Sequence, residues 1–577
     1  MQSPKIRTTR LIICLLILSG LFQTRSSAAT SGLLRTDTLY AMVTIPVIDD
    51  TLTSHIVTQV KKGAPIFAID VNAEKYTGVR FLVSDGEHQG WVFGKYLTPS
   101  KEEAEKVYDF KMEEHSLVKN PYKGGAATDC DFTPYEKPSF PDNVMPQPCN
   151  ALYLNISPAG LKKIDDYIAL ADSTLINAFV IDIKDNEAPG FKADAMKTFS
   201  PTSYSHAGST KEELYRQAVR KLHDKGYYVI GRITCFKDNY FAKDHPETCM
   251  SSKADGKPYQ HSKSYWPSPY NRLVWQYNVE LAKEAVRKIG FDEINFDYVR
   301  FPDRLTKIDG LLDFKNVYSE SKVEVIQRFV RYACDELHRL GVYVSVDVFG
   351  ESSNPSYTTA YGQYWPAIST IADAICAMPY PDHFADKAFG LSRPWNQPYK
   401  LMKAWGKQAK GQQEKSPSPA VARTWIQAYH VMKSVDIAGI PNDASYIEKQ
   451  VRGLFDAGLT GGYMTWLASC SIKTYRAQEA AYDLDYPNLP EVEDGKTFIT
   501  TDPKKAAKLI SETVEKNSLA REERLDTRAA EKAERAQEKA EKAEDKALKE
   551  LEKDIEKAQK KAEKGEKEPL HEEESEE

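Results

Sequence analysis

From residue 150 to about 483 the chain alternates apolar β-rich runs with amphipathic helical runs, and no other feature restricts its fold as sharply. The β-runs are ALYLNIS, NAFVIDIKD, YYVIGRITCF, EINFDYVRF, VYVSVDVFG, ADAICAMPYP, RTWIQAYH and GGYMTWLAS. Between them stand helical stretches such as KEELYRQAVRKLHDKG, VWQYNVELAKEAVRKIG and KVEVIQRFVRYACDELHRLG, several ending in the Gly expected of a left-handed cap. Strand alternating with helix implies a parallel sheet. Eight such strands predict an α/β fold of the (β/α)8 TIM-barrel type, spanning residues 150–483.

The flanks read differently. Residues 1–29 run from basic MQSPKIRTTR through apolar LIICLLILSGLF to small SSAA, the layout of a signal peptide cut after Ala28 or Ala29. A single-pass anchor would need roughly 20 apolar residues, more than this run supplies. Cys14 lies inside the run, where it cannot carry a lipid. The expectation is a secreted or cell-envelope-associated protein with no transmembrane segment after signal removal. Residues 38–99 hold short β-runs between turns, which predict a small all-β barrel. Its ending QGWVFGKYL is similar to the last strand of bacterial SH3-like modules, a plain structural domain or a wall-binding one. Residues 100–149 read as a linker lying against its neighbours. The charged tail, residues 484–577, predicts a solvated helix or a disordered segment. Its leucines do not keep a coiled-coil period, although a dimerisation helix is the competing reading.

Net charge is −6, from 77 basic and 83 acidic residues, so no basic excess suits a phosphate backbone and nucleic acid is not an expected partner. Of eight cysteines, seven remain once Cys14 is removed, so at least one is free. Cys130 with Cys149, and Cys235 with Cys249, are candidate disulfides, whereas Cys334 and Cys376 read as buried thiols. No His pair has ligand spacing and no Gly-rich loop follows a strand, so neither a metal nor a nucleotide cofactor is expected.

Reactive groups in such barrels gather at the C-terminal ends of the strands. Taking alternate residues places Asn155 and Ser157, Asp182 and Lys184, Arg232 and Thr234, Asn295 and Asp297, Ser345 and Asp347, and Gln427 on one inner face. Polar residues at so many positions normally filled by Val, Ile and Leu mark a pocket, or else a buried network that holds the barrel. Asp297 and Asp347 fall on neighbouring strands roughly 4.8 Å apart, where mutual repulsion separates an acid from a base. Glycoside hydrolysis uses such a pair, at about 5 Å for retention or roughly 6.5–9.5 Å for inversion. Glu351, just beyond the fifth strand, is the rival acid. Tyr298, Tyr380, Tyr429 and Trp466 offer faces for sugar rings; Lys184, Arg232, Arg300, Asp382 and His383 offer partners for hydroxyls. Arg300 has a second reading, an ion pair with Asp297 or Asp185.

The stretches INAFVIDIKD, VIGRITCFKDNYFA, the WPSP at Trp266, FDEINFDYVRFP, SVDVFG and MPYPDHF resemble a bacterial glycoside-hydrolase-type domain family, long classed as a domain of unknown function and distantly α-amylase-like. The resemblance implies a sugar-cleaving barrel with Asp297 as nucleophile and Glu351 or Asp347 as acid. Two positions depart from that family's pattern: Ala428 where an Asp is usual, and Leu467 where an Asn is usual. The resulting expectation is an exported, monomeric glycosidase acting on a polysaccharide or cell-wall glycan, with a non-catalytic carbohydrate-binding barrel and a structural envelope protein as alternatives.

Overall fold

The computed structural model describes residues 38–49, 55–108, 112–120, 123–208, 211–437 and 439–489, together with Leu519. Residues 1–29, expected to be a signal peptide, and nearly all of the charged tail lie outside the described residues. The stretch from Ser518 onward forms a separate unit, of which only Leu519 is described.

Eight parallel strands close into a barrel: Cys149–Leu154, Ala178–Asp185, Tyr228–Thr234, Glu293–Asp297, Tyr343–Phe349, Ala374–Met378, Val421–Gln427 and Gly462–Trp466. Each pairs with the next, and the eighth returns to the first through Gly462 and Cys149. That seam demands glycine: at φ 103°, a Cβ on residue 462 would sit 2.1 Å from the Cys149 carbonyl oxygen. All eight predicted strands are present, and the barrel expected from the alternation is the fold.

The helices form where the periodicity placed them. Lys322–His338 begins with a reciprocal cap, in which the Ser321 hydroxyl accepts from the Glu324 N–H and the Glu324 carboxylate accepts from the Ser321 N–H. Its apolar stripe of Val325, Ile326, Phe329, Val330 and Ala333 is buried against the sheet. The barrel interior is partly polar at depth. Glu293 and Arg423, both fully buried, meet at 2.8 and 3.2 Å, and Ser345 and Tyr228 donate to the same carboxylate. Every partner is satisfied there on the Glu293 side, which is what makes a charge pair tolerable in a core.

Ahead of the barrel lies a seven-stranded antiparallel sheet between Thr38 and Thr98, with its own core of Leu39, Ile45, Val47, Ile66, Phe81, Val83 and Val92. It rests on the barrel's helices: Tyr96 donates to Asp335 at 2.8 Å, and Arg339 reaches Glu74 at 3.2 Å. The segment after it packs against the barrel. Phe140 packs against Tyr343, and the Lys137 ammonium donates to the carbonyls of Ser369, Thr370 and Ala372 at 2.6–3.1 Å.

The seven cysteines from Cys130 onward are buried thiols, and neither Cys130–Cys149 nor Cys235–Cys249 is bridged; each sulfur is enclosed by packing instead. Burial pushes the Cys149 thiol up to about 12. Among the described residues no helix is long and apolar enough to cross a membrane.

Candidate active site

The C-terminal mouth of the barrel opens into a cavity of about 450 Å³. At its floor is Arg232, at the inward end of the third strand and 2 % exposed. Its Nη1 donates to Asp182 Oδ1 at 2.7 Å and lies 3.6 Å from Asp185 Oδ1. Its Nη2 donates to Asp297 Oδ2 at 2.5 Å, and its Nε stands 3.7 Å from Asp347 Oδ2. Four carboxyl groups from strands two, four and five thus surround one guanidinium. Burial works against the Arg232 charge, but the attraction of Asp182 and Asp297 wins and holds it well above its usual pKa.

Strand register sets the two central carboxyls level. Phe296 pairs with Val346, so Asp297 and Asp347 project at one height from adjacent strands. Because one rigid guanidinium reaches both, they stand no more than about 9 Å apart, inside the outer limit of roughly 9.5 Å for a glycosidic pair. Their surroundings differ. Asp297 accepts from Arg232 and from the Tyr298 N–H, two donors that complement a negative charge. Asp347 is 1 % exposed, and its Oδ1 accepts from Asn295 Nδ2 at 2.9 Å and Trp425 Nε1 at 2.7 Å, while Oδ2 has no hydrogen-bond partner. Burial, then the nearby Asp297 charge, pushes Asp347 well above the usual carboxylate range.

Tyr298 follows Asp297 with φ 51°, a left-handed conformation that a bulky residue adopts at a cost of order 1–3 kcal/mol. The turn lets its N–H reach the Asp297 carboxylate and sets its ring on the cavity wall. The walls are completed by Tyr153, Phe349, Tyr380, Trp425 and Trp466.

Of the residues predicted from sequence, Asp297, Asp347, Arg232, Tyr298, Arg300, Tyr380, His383 and Trp466 come together around this cavity, with Asn155 and Ser157 on the rim of strand one. Asp182 lies just beneath, accepting from Arg232 and from the Tyr153 hydroxyl, and burial pushes it up to about 7 against the pull of Arg232.

Others go elsewhere. A bulge in strand two makes Arg232 pair with Asp182 but Ile233 with Lys184, so the alternation slips by one residue at Ile183. Lys184 therefore leaves the mouth, and its ammonium is buried against Asp238 at 2.7 Å and Asn278 at 3.1 Å. The same slip brings Asp185 onto the cavity, a position the strict period of two did not assign. Glu351 is exposed on a short helical turn, Gly350–Ser353, outside the cavity lining, where the hydroxyls of Tyr357 and Tyr361 both donate to it at 2.9 Å. Asp382 and Gln427 tie loops: Asp382 accepts from Tyr429 and the Met432 N–H, and Gln427 accepts from the Asp382 N–H and donates to the Tyr429 carbonyl. Tyr153 and Trp425 were missed one layer below Asn155 and Gln427, although the same alternation points to them. Neither Ala428 nor Leu467, the two departures from the family pattern, lines the cavity.

A (β/α)8 barrel whose mouth gathers paired carboxyls, a guanidinium and aromatic walls defines the class, a barrel of glycosidase type. The chain belongs to the family described as "Putative glycosyl hydrolase domain", whose model matches residues 151–472. Among solved structures it is similar to a hypothetical protein from Ruminiclostridium thermocellum ATCC 27405, at 35% identity, covering 34% of this chain and 97% of that one with a TM-score of 0.30. It is also similar to the PgaB (BpsB) glycoside hydrolase domain from Bordetella bronchiseptica, at 14% identity, 59% and 99% coverage and a TM-score of 0.41. A third is a noncanonic maltogenic alpha-amylase from Thermotoga neapolitana, at 12% identity, 64% and 76% coverage and a TM-score of 0.37. Comparison with curated proteins gives no match.

Proposed function

We propose that this chain hydrolyses an O-glycosidic bond, with Asp347 as the general acid and Asp297 as the opposing carboxylate. The observation that carries this reading is the asymmetry of two level carboxyls on one guanidinium: Asp347 is enclosed, with burial and the nearby Asp297 charge raising its pKa, whereas Asp297 accepts directly from the Arg232 guanidinium. Asp347 then gives its proton to the leaving oxygen as the C–O bond breaks. Asp297 either bonds to the anomeric carbon or takes a proton from the water that attacks it. The aromatic walls stack on sugar faces, and Arg232 orients the Asp297 carboxylate through its Nη2 hydrogen bond.

The same proposal makes the protein exported and active on an envelope or extracellular polysaccharide, as a monomer, with the SH3-like module holding the barrel near its substrate. The leader-like layout of residues 1–29 and the docking of the small sheet on the barrel support this. The test is incubation of the full chain with a panel of polysaccharides, scoring new reducing ends, repeated with Asp297→Asn. Release by the parent that survives the substitution sinks the role of Asp297, and binding without any release turns the reading to a carbohydrate-binding barrel.

A further inference from the structure

Arg232 is crowded by carboxyls, but a second guanidinium at the same mouth is not. Arg300 is 7 % exposed and lies among three ring faces, Phe349 at 4.4 Å, Trp266 at 4.9 Å and Tyr298 at 5.1 Å. It donates one hydrogen bond, from Nη1 to the Phe301 carbonyl at 3.0 Å. The one carboxylate within ion-pair reach among the described residues, Asp303, stands 3.8 Å away, beyond hydrogen-bonding range, and is shared with His261 and Arg304. The expected pairing of Arg300 with Asp297 or Asp185 is therefore not made. A guanidinium carries five N–H donors, and this one lines the cavity with most of them uncommitted. Aromatic faces compensate only part of the hydration so lost.

A second cation adds to the imbalance. The Lys237 ammonium sits 5.2 Å over the ring of the same Tyr298 and has no ion-pair partner among the described residues. Burial lowers the pKa of both groups, which is the mark of charge not repaid by nearby anions.

We propose that Arg300 is a subsite for a carboxylate carried by the substrate, so that the glycan this barrel takes contains a sugar acid. The proposal rests on the glycan reading of the cavity and narrows it. A planar fork held between flat rings meets a planar carboxylate through two parallel hydrogen bonds.

The test is direct binding to the full chain, read by calorimetry, of D-glucuronate, D-glucose, glucose 6-sulfate and glucose 6-phosphate. The expected result is glucuronate binding at least about tenfold tighter than glucose and tighter than either ester, with Arg300→Gln reducing it to the level of glucose and Arg300→Lys keeping part of the preference. Equal or absent binding of glucuronate and glucose by the parent chain overturns the proposal, whatever the variants do. So does a preference that survives Arg300→Gln, and a stronger response to the esters overturns the carboxylate assignment. Loss of this preference with reducing-end release intact removes only the subsite; the preference without release leaves the subsite and removes the cleavage reading.

Discussion

Trp425 on the seventh strand donates from its indole Nε1 to Oδ1 of Asp347 on the fifth, 2.7 Å away across the barrel interior. The bond pins one oxygen of a buried carboxyl and leaves the other without a partner at the cavity. Because that hydrogen bond favours the ionised form, its removal raises the Asp347 pKa further. Trp425→Phe is expected to move the alkaline limb of the kcat/KM profile to higher pH, and a limb that stays in place or moves to lower pH contradicts Asp347 as the acid.

Asp347 and Glu351 are separated by the same logic. Asp347→Asn is expected to lower kcat by about 10²–10⁴-fold, the range for losing a general acid. Glu351→Gln leaves one oxygen to accept from only one of two tyrosines outside the cavity and is expected to cost less than about tenfold. The reverse ordering on one substrate would exchange their roles.

Asp182 predicts a stability change with pH. Its folded pKa of about 7 lies above the ordinary 3.8, so the native state holds a proton that the unfolded chain releases first. Its contribution is fully present below the unfolded value and is lost as pH rises through the folded one. Thermal melts should therefore show a component of the midpoint that falls between pH 3.8 and about 7, and Asp182→Asn should flatten it. An Asn variant with an unchanged pH slope would mean that Asp182 is not the group responsible.

Lys184 tests the bulge. Removing its ammonium by Lys184→Met leaves Asp238, 1 % exposed, without its counter-charge, and is expected to cost roughly 3–5 kcal/mol in urea unfolding. Adding Asp238→Asn should recover much of that loss. KM should stay near the parent value, since the ammonium lies outside the cavity; a KM effect without loss of stability would return Lys184 to the mouth.

Strand count, strand order and the helix stops were legible because period-two and period-3.6 apolar patterns, together with terminal glycines, are local consequences of one face being buried. Asp297, Asp347 and Arg232 were legible too, since a charged residue on the inward phase of a barrel strand is out of place unless something holds it. The alternation failed at Ile183, where one extra residue turned Lys184 outward and Asp185 inward; a bulge is decided by pairing with the neighbouring strand and leaves no mark on hydropathy. Glu351 looked equivalent to Asp347 because closeness in sequence carries no information on where a loop turns after its strand ends. By itself the sequence determined the barrel and the inward phase of Asp297, Asp347 and Arg232. Only the tertiary structure decided which carboxyl is enclosed, which guanidinium is saturated and which is left open, because burial and charge pairing depend on side chains brought together from strands far apart in the chain.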